Sequence, residues 1–409
     1  MARPRDHAHH RFLRAAPLPS VSYHVSIPIF MHKQHQERIA IIGSRGIPAE
    51  FGGFETFAEQ LALRLVHLGW DVTVFCESNQ NYRKPQYKGV NLKYIYAPRI
   101  TAVRSIWFDL LSVVATLRGY DIVYMLGYHA GFVFVLPRLF ATNFWVNMDG
   151  LEWRRTKWSL ATRRYLKAME SLTLRLAPHI VADAQGIADH LTANYPRAAN
   201  KTHVVEYGAS LITREPKIGH ITDNGLIPRG YYLVVCRLEP ENHVREIVEG
   251  FIRSDSRRFL IIVGDHATGT AYVSSLLKAA NDRVIFFGSL YDQEMLTALR
   301  FHCLAYIHGH SVGGTNPSLL ESMACGTYII AHDNVFNREV TAGLCAYFTN
   351  AADLERVVRR IDKNGPPCNV GAALINRVES HYNWDRIADV YRVLFEASVS
   401  NRQVAQNRF

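Results

Sequence analysis

The stretch RIAIIGSRGIPAEFGGFETFAEQLALRLVHLG, residues 38–69, decides the fold. It opens on Ile39-Ala40-Ile41-Ile42, a short apolar run that ends at Gly43. Such a run, with no polar alternation, is the pattern of a parallel strand buried on both faces. A glycine-rich loop follows. Phe57, Leu61, Leu65 and Leu68 then recur at helical spacing, and Gly69 stops the helix. Strand, glycine loop and helix form the first unit of an α/β fold.

The alternation continues outward. Strands are expected at 71–76, 89–96, 122–126, 143–148, 179–182 and 203–206, and helices at 104–117 and 160–176. Pro216, Gly219, Gly225 and Pro228 punctuate residues 214–229, which read as a linker. Strands resume at 232–236, 259–263, 284–287, 304–307 and 328–331, with helices at 244–252, 271–280, 296–301 and 318–325. An amphipathic helix at 384–394 closes the pattern. The expected architecture is α/β: two Rossmann-like, doubly wound parallel-sheet domains facing a cleft. The first covers 38–213, rejoined by a closing helix at 383–400, and the second covers 214–382. Residues 1–37 carry Arg3, Arg5, Arg11 and Arg14 among irregularly spaced apolar residues, and read as a disordered extension. A basic arm touching a membrane is the rival reading.

Composition narrows the class. With 48% hydrophobic and 20% charged residues in 409, the chain has material for two cores. The formal charge of +10 points to acidic partners such as phosphorylated substrates or anionic lipid. No nucleic-acid reader motif is present, so nucleic acid is not an expected partner. The six cysteines form no C-x-x-C pair, which reads as reduced thiols in a cytoplasmic protein rather than disulfides or a zinc site. The apolar stretch 125–146 is interrupted by His129, Pro137 and Arg138, short of the ~20 apolar residues that span a bilayer.

Three loops carry the chemistry. Gly43 to Glu55, with Arg45, Gly52 and Gly53, joins a strand to a helix N-terminus, where free N–H groups suit a phosphate or sugar. A tight turn is the plain alternative. The G-x-G-x-x-G spacing of a dinucleotide site is absent, which leaves an NAD enzyme as a weak competitor. The second loop, Cys236 to Asn242, presents Arg237, whose forked guanidinium suits phosphate oxygens; pairing with Glu239 or Glu241 is the alternative. The third, His308 to Gly326, is the most informative. His310 and Ser311 lead into Gly313-Gly314-Thr315-Asn316 and then a helix opening at Pro317. Its amides suit a diphosphate, and Glu321, one turn in, suits a ribose diol. An ordinary helix start with a first-turn acid is the alternative.

On these motifs the chain resembles the retaining glycosyltransferases of family 4. Gly43 to Thr56 is similar to the G-x-R-G-I-P-x-x-[FY]-G-G-F-E-T opening of a subgroup that includes bacterial rhamnosyltransferases of capsule, O-antigen and cell-wall polysaccharide assembly. The resemblance runs from Ile39 to about Leu394. It implies a GT-B fold, a nucleotide sugar used as substrate with no cofactor, and no metal requirement. It places Arg237 on the donor diphosphate, Glu321 on the ribose as the second glutamate of E-x7-E, Gly52 and Gly53 in the amino-terminal glycine loop, and Trp384 in the closing helix.

Three departures stand out. Gly313 occupies the place of the first E-x7-E glutamate, leaving His310, Ser311 or Asn316 to replace its donor-sugar contact. Asn242 stands where a lysine is common. Asp149 stands where an acceptor-side histidine is common. The expected function is transfer of a sugar, L-rhamnose from dTDP-rhamnose, to a saccharide acceptor carried on a lipid diphosphate. Arg237 and the amides of Gly313 to Asn316 would stabilise the leaving diphosphate. Asp149 would orient hydroxyls, or is only the turn residue before Gly150. Arg45, Glu55 and His129 are the other acceptor-side candidates; His129 is as readily structural. Trp153 and Trp158 among Arg154, Arg155, Lys157, Arg163, Arg164 and Lys167 suit peripheral contact with the cytoplasmic face of the inner membrane, or a solvated helix face. A nonhydrolysing nucleotide-sugar epimerase and a non-catalytic nucleotide-binding scaffold are the rival functions.

Overall fold

The computed structural model describes residues 36–50, 52–98, 101–148, 150–155, 157–267 and 269–406, so the extension expected over 1–37 lies outside the described residues apart from its last two. The first domain opens with β1 (Arg38–Ile42), α1 (Gly53–His67), β2 (Asp71–Glu77), β3 (Gln86–Tyr87), β4 (Val90–Ile95) and α2 (Thr101–Thr116). Next, β5 (Ile122–Leu126) leads through a 3-10 turn (Gly131–Phe134) into α3 (Val135–Leu139). The domain continues with β6 (Phe144–Asn147), α4 (Leu160–Leu176), β7 (His179–Ala182), α5 (Gln185–Asn194) and β8 (Thr202–Val204). Its eight strands lie in the order β3-β4-β2-β1-β5-β6-β7-β8, parallel except where β3 meets β4.

After α6 (Gly219–Thr222) the second domain begins with β9 (Tyr231–Val235), α7 (Val244–Ser254), β10 (Phe259–Val263), α8 (Ala271–Ala279), β11 (Val284–Gly288) and α9 (Gln293–His302). Then come β12 (Ala305–His308), α10 (Pro317–Ala324), β13 (Ile329–His332), α11 (Val335–Thr341), β14 (Ala346–Phe348), α12 (Ala351–Asn364) and α13 (Val370–His381). Its six strands are all parallel, in the order β11-β10-β9-β12-β13-β14. This is the two-domain GT-B architecture.

The apolar runs explain the sheets. Ile39 to Ile42 and Leu260 to Ile262 are wholly buried, because helices cover both faces of each sheet. In each sheet the strand order reverses once beside the first strand. β1 lies between β2 and β5, and β9 lies between β10 and β12. Loops leaving the carboxyl ends of such a strand pair splay apart and leave a crevice for ligands.

The chain crosses between domains twice, and the crossings lie side by side. The Ala209 N–H donates to the Tyr382 carbonyl at 2.7 Å, and Ala209 pairs with Asn383. A Cβ on Gly208 would sit 2.5 Å from the Trp384 ring, so the glycine makes room for the indole. The final helix, α14 (Trp384–Gln406), then packs back on the first domain. Its Tyr391 hydroxyl meets that of Tyr124 at 2.8 Å, and Phe395 packs against Trp70, Tyr124 and Trp145.

Several elements differ from the sequence reading. The closing helix runs on to Gln406, and a short helix, α6, lies inside the expected linker. The sequence reading lacks α3, α5, α11, α12, α13, β3 and β14. Of these α12 carries a plain signal, since Leu354, Val357, Val358 and Ile361 share one helical face and are buried.

Candidate functional site

In the first domain the loops after β1 and β5 flank the switch point. The β1 loop is braced from within. Glu55 is buried, and its carboxylate accepts the Arg45 N–H at 2.9 Å. The Arg45 carbonyl in turn accepts the Glu77 N–H at 2.9 Å. Glu55 thus shapes the loop instead of projecting to the acceptor side, whereas the Arg45 side chain is exposed. Across the switch point, Gly127 lies against the Phe54 ring, and the His129 ring stacks on Tyr128. Asp149 lies outside the described residues.

In the second domain the loops after β9 and β12 flank the switch point and are stitched together by Asn242. This buried side chain donates to the Arg237 carbonyl at 2.7 Å, and its oxygen lies 2.8 Å from His310 Nδ1. Asn242 therefore orders the loops rather than adding a cation, in keeping with its lack of charge. Arg237 itself is exposed, and its guanidinium makes no ion pair among the described residues. The pairing with Glu239 weighed from sequence goes elsewhere: Glu239 takes Lys157 at 3.1 Å and Arg155 at 3.7 Å, both from the first domain.

At the start of α10, Asn316 caps the helix by accepting the Ser318 N–H at 3.0 Å, with Pro317 in the first turn. Glu321 is half-exposed and held at 2.6 Å by Arg300, which is buried. The same Arg300 group donates to the Ser318 hydroxyl at 3.3 Å. A buried guanidinium fixes a carboxylate rotamer at small entropic cost, because its fork is planar and its charge does not titrate. Glu321 and Arg300 line an interdomain cavity of about 300 Å³ together with Gly53, Gln60, Tyr207 and Trp384. That is the lower end of the size range of small-molecule sites, about 300 to 1,000 Å³.

The cleft is closed by direct contacts. A Cβ on Gly150 would fall 2.6 Å from the Gly313 Cα, so backbone meets backbone there. Gly313 also has φ +113°, where L side chains are strained. Beside it, Asp183 at the end of β7 accepts the Thr315 N–H at 3.1 Å, and the Thr315 hydroxyl donates to the Asp183 carbonyl. A Cβ on Gly314 would collide with the Asp183 carboxylate. The Thr315 amide, a diphosphate donor in the sequence reading, is thus committed to an interdomain bond. A second latch lies at α5, whose Gln185 and Gly186 N–H groups donate to the Glu339 carboxylate at 2.8 and 3.2 Å. Anionic groups are favoured at such helix starts.

Asp183 and Arg300 escaped the sequence reading. Arg300 had a signal: it continues the apolar stripe of Leu296, Leu299 and Cys303, and a charge in such a stripe is buried and paired. Asp183 ends a buried strand on the cleft side, but nothing in the sequence tells which domain it grips. The tryptophans of the basic cluster are turned partly inward. Trp153 donates to Glu170 at 2.8 Å and Trp158 to Glu152 at 3.2 Å.

The histidines here are held neutral. Burial lowers His308 and His310 to about 3, with Arg155 and Arg237 adding to the effect at His310. Burial, with nearby His243, lowers His332 to about 4. At neutral pH His310 is a hydrogen-bonding group and not a cation. Among the described residues, no group of three or more His, Cys, Asp or Glu is placed to hold a metal ion, and no helix is long and apolar enough to cross a membrane.

Comparisons with known proteins agree with this architecture. Residues 227–369 match the family described as glycosyl transferases group 1, and residues 36–210 match one described as a domain of unknown function (DUF1972). Sucrose-phosphate synthase from Thermosynechococcus elongatus superposes with a TM-score of 0.71 at 18% identity, covering 88% of this chain and 100% of that one. HepE from Anabaena, solved with UDP, superposes at 0.68 with 13% identity over 88% of this chain and 100% of its own. Starch synthase IV from Arabidopsis thaliana, bound to ADP and acarbose, gives 0.69 at 12% identity over 89% and 99%. No curated protein matches the sequence. The second domain thus matches the group 1 glycosyl transferase model, and the described residues have the GT-B fold.

Two expectations follow from the geometry. Gly150→Ala should force the domains apart at Gly313, increasing the radius of gyration in solution scattering while circular dichroism stays unchanged; an unchanged radius would refute the close contact. His308 has a lowered folded value, so the unfolded chain binds more protons below its ordinary value of 6.5. Stability is therefore fully present above about pH 6.5 and falls as pH drops toward about 3. His308→Gln should flatten that loss by up to about 1.4 kcal/mol per pH unit in urea titrations; an unaltered slope would remove His308 from the account.

Proposed function

We propose that this chain is a retaining glycosyltransferase that moves a sugar from a nucleotide diphosphate to a saccharide acceptor. The observation that carries the reading is Arg237, an exposed cation with no ion pair among the described residues, standing at the switch point of the second domain. The group 1 match over 227–369 supports the transfer activity. HepE, solved with UDP and with UDP-glucose on this fold, supports a nucleotide sugar as donor.

In this reading the bond between the sugar's anomeric carbon and the phosphate oxygen breaks as the acceptor oxygen bonds to that carbon on the same face. The acceptor's proton passes to the departing phosphate. Arg237 and the Gly313 and Gly314 amides stabilise the charge growing on the diphosphate. Glu321, held by Arg300, accepts hydrogen bonds from the ribose diol. The donor is a substrate, and no cofactor enters the reaction. The sugar is L-rhamnose carried on dTDP, a reading supported by the likeness of Gly43 to Thr56 to the rhamnosyltransferase motif. The glycine at 313 fits a donor with one hydroxyl fewer, since a carboxylate is not needed to satisfy it. The acceptor is a saccharide on a lipid diphosphate, met at the cytoplasmic face of a bacterial inner membrane during surface polysaccharide synthesis.

The test is release of nucleoside diphosphate from dTDP-rhamnose, UDP-sugars and GDP-mannose, each with and without a lipid-diphosphate saccharide. Acceptor-dependent release from dTDP-rhamnose is expected. Arg237→Ala should lower kcat/KM by about 10²- to 10³-fold, as loss of an oxyanion donor does. Glu321→Ala and Arg300→Met should each raise the donor KM about tenfold, with the double variant no worse than either alone. Conversion of the sugar without acceptor would instead mark an epimerase, and binding without release a scaffold.

A further inference from the structure

The loop that leaves β6 carries two cations across the domain boundary that the transfer reaction described above does not use. Gly150 of this loop meets Gly313. Farther along, Lys157 Nζ lies 3.1 Å and Arg155 Nη1 3.7 Å from the Glu239 carboxylate. One first-domain loop thus touches both second-domain loops assigned to the diphosphate, at Gly313 and, just beyond Arg237, at Glu239.

The two cations are held from within their own loop. Glu152 takes the Nε edge of Arg155 at 2.7 Å and accepts the Trp158 indole N–H at 3.2 Å. The Glu152 N–H donates to the Tyr128 hydroxyl at 3.2 Å, and the Trp153 indole donates to buried Glu170. The Lys157 ammonium lies over the Trp158 ring, 5.0 Å from its centroid. With Glu152 occupied on the near edge of Arg155, the outer edge of that guanidinium and the Lys157 ammonium converge on Glu239.

Glu239 therefore answers more than one cation. Burial works against its charge, yet Lys157, Arg237 and Arg155 together hold its carboxyl below the ordinary value. Around it the second domain supplies little positive charge of its own. Asn242 is neutral and bonded to the Arg237 carbonyl and His310, and burial keeps His308 and His310 uncharged. Arg237 is the exposed cation of these loops, whereas a nucleoside diphosphate gains negative charge as the sugar leaves. The further cations within reach come from the first domain.

We propose, on the basis of the nucleotide-sugar reading above, that Glu239 holds the place of the donor diphosphate, and that Arg155 and Lys157 are phosphate ligands which the bound diphosphate takes over from it. Phosphate oxygens replace carboxylate oxygens at the ammonium and guanidinium, and no covalent bond changes. A partly exposed ion pair contributes little to stability, so the exchange costs little. The charge-assisted bonds to phosphate are stronger than neutral ones. With Arg237 on one domain and Arg155 and Lys157 on the other, a diphosphate between them ties the domains together.

Calorimetric titration of the full-length protein with dTDP, UDP and GDP, and with the matching monophosphates, tests this. Lys157→Met and Arg155→Met should each weaken the best-binding diphosphate about tenfold, and its monophosphate less. Arg155→Lys, which keeps the charge, should recover part of the loss and shows that a collapsed loop is not its cause. Glu239→Gln should tighten the diphosphate about threefold, because the competing carboxylate is gone. The opposite signs are diagnostic: a pair that only latched the domains would give the same direction of change from either side. Weaker binding in Glu239→Gln as well as in Lys157→Met, or affinity indifferent to positions 155, 157 and 239, would overturn the proposal. If Arg237→Ala weakens binding while those three positions fail to respond as stated, this inference falls and the donor reading stands. If no nucleoside diphosphate binds, or Arg237→Ala leaves its affinity unchanged, both fall.

Discussion

The grip of Asp183 on the Thr315 amide is the constraint around which the cleft is organised. It joins the carboxyl end of β7 in one domain to the glycine loop of the other. With Asp183 at that distance there is no room for a side chain at position 314, and the adjacent Gly150–Gly313 contact leaves none at 150. Glycine at 150 and 314 is therefore a packing requirement of the closed cleft. A carboxylate on a longer side chain at 313 would need both a strained backbone and a wider gap. The latch at Glu339 and the pairing of Glu239 with Lys157 act on the same boundary. Surface pairs of the latter kind contribute little by themselves, but the two carboxylates on backbone amides sit at fixed geometry.

Within that boundary, charge and hydrogen bonding are divided between two kinds of residue. Arg237 and Glu321 face open space, one from the β9 loop and one from the first turns of α10. Asn242, Arg300 and Glu55 lie behind and hold loops in place. The buried histidines belong with the second kind, since desolvation keeps them neutral and available only as hydrogen-bonding partners. The cation these second-domain loops expose is Arg237, while their buried imidazoles supply only hydrogen bonds.

The parallel sheets were legible because their strands are short, continuous apolar runs ending in glycine or a polar loop and alternate with helices. Arg237, Glu321 and the glycine loops could be placed because each follows a strand at a fixed offset. Elements without a run of their own were harder to see. β3 is two residues long, and α5 begins without a side-chain cap, its first amides being taken by a carboxylate from far along the chain. The inward bonding of Glu55 and Asn242 was not visible for a related reason: sequence shows that a polar residue lies near a loop, but not whether it faces the cleft or the loop's own backbone. Asp183 shows the limit most clearly, because its partner is 132 positions away and in the other domain.

The most direct measurement is a crystal structure of the protein with a bound nucleoside diphosphate. The account predicts the diphosphate between the Arg237 guanidinium and the Gly313–Gly314 amides, with the ribose hydroxyls on Glu321 and Arg300 still holding that carboxylate. A nucleotide bound elsewhere, or one in the cleft whose phosphates avoid Arg237, would contradict it.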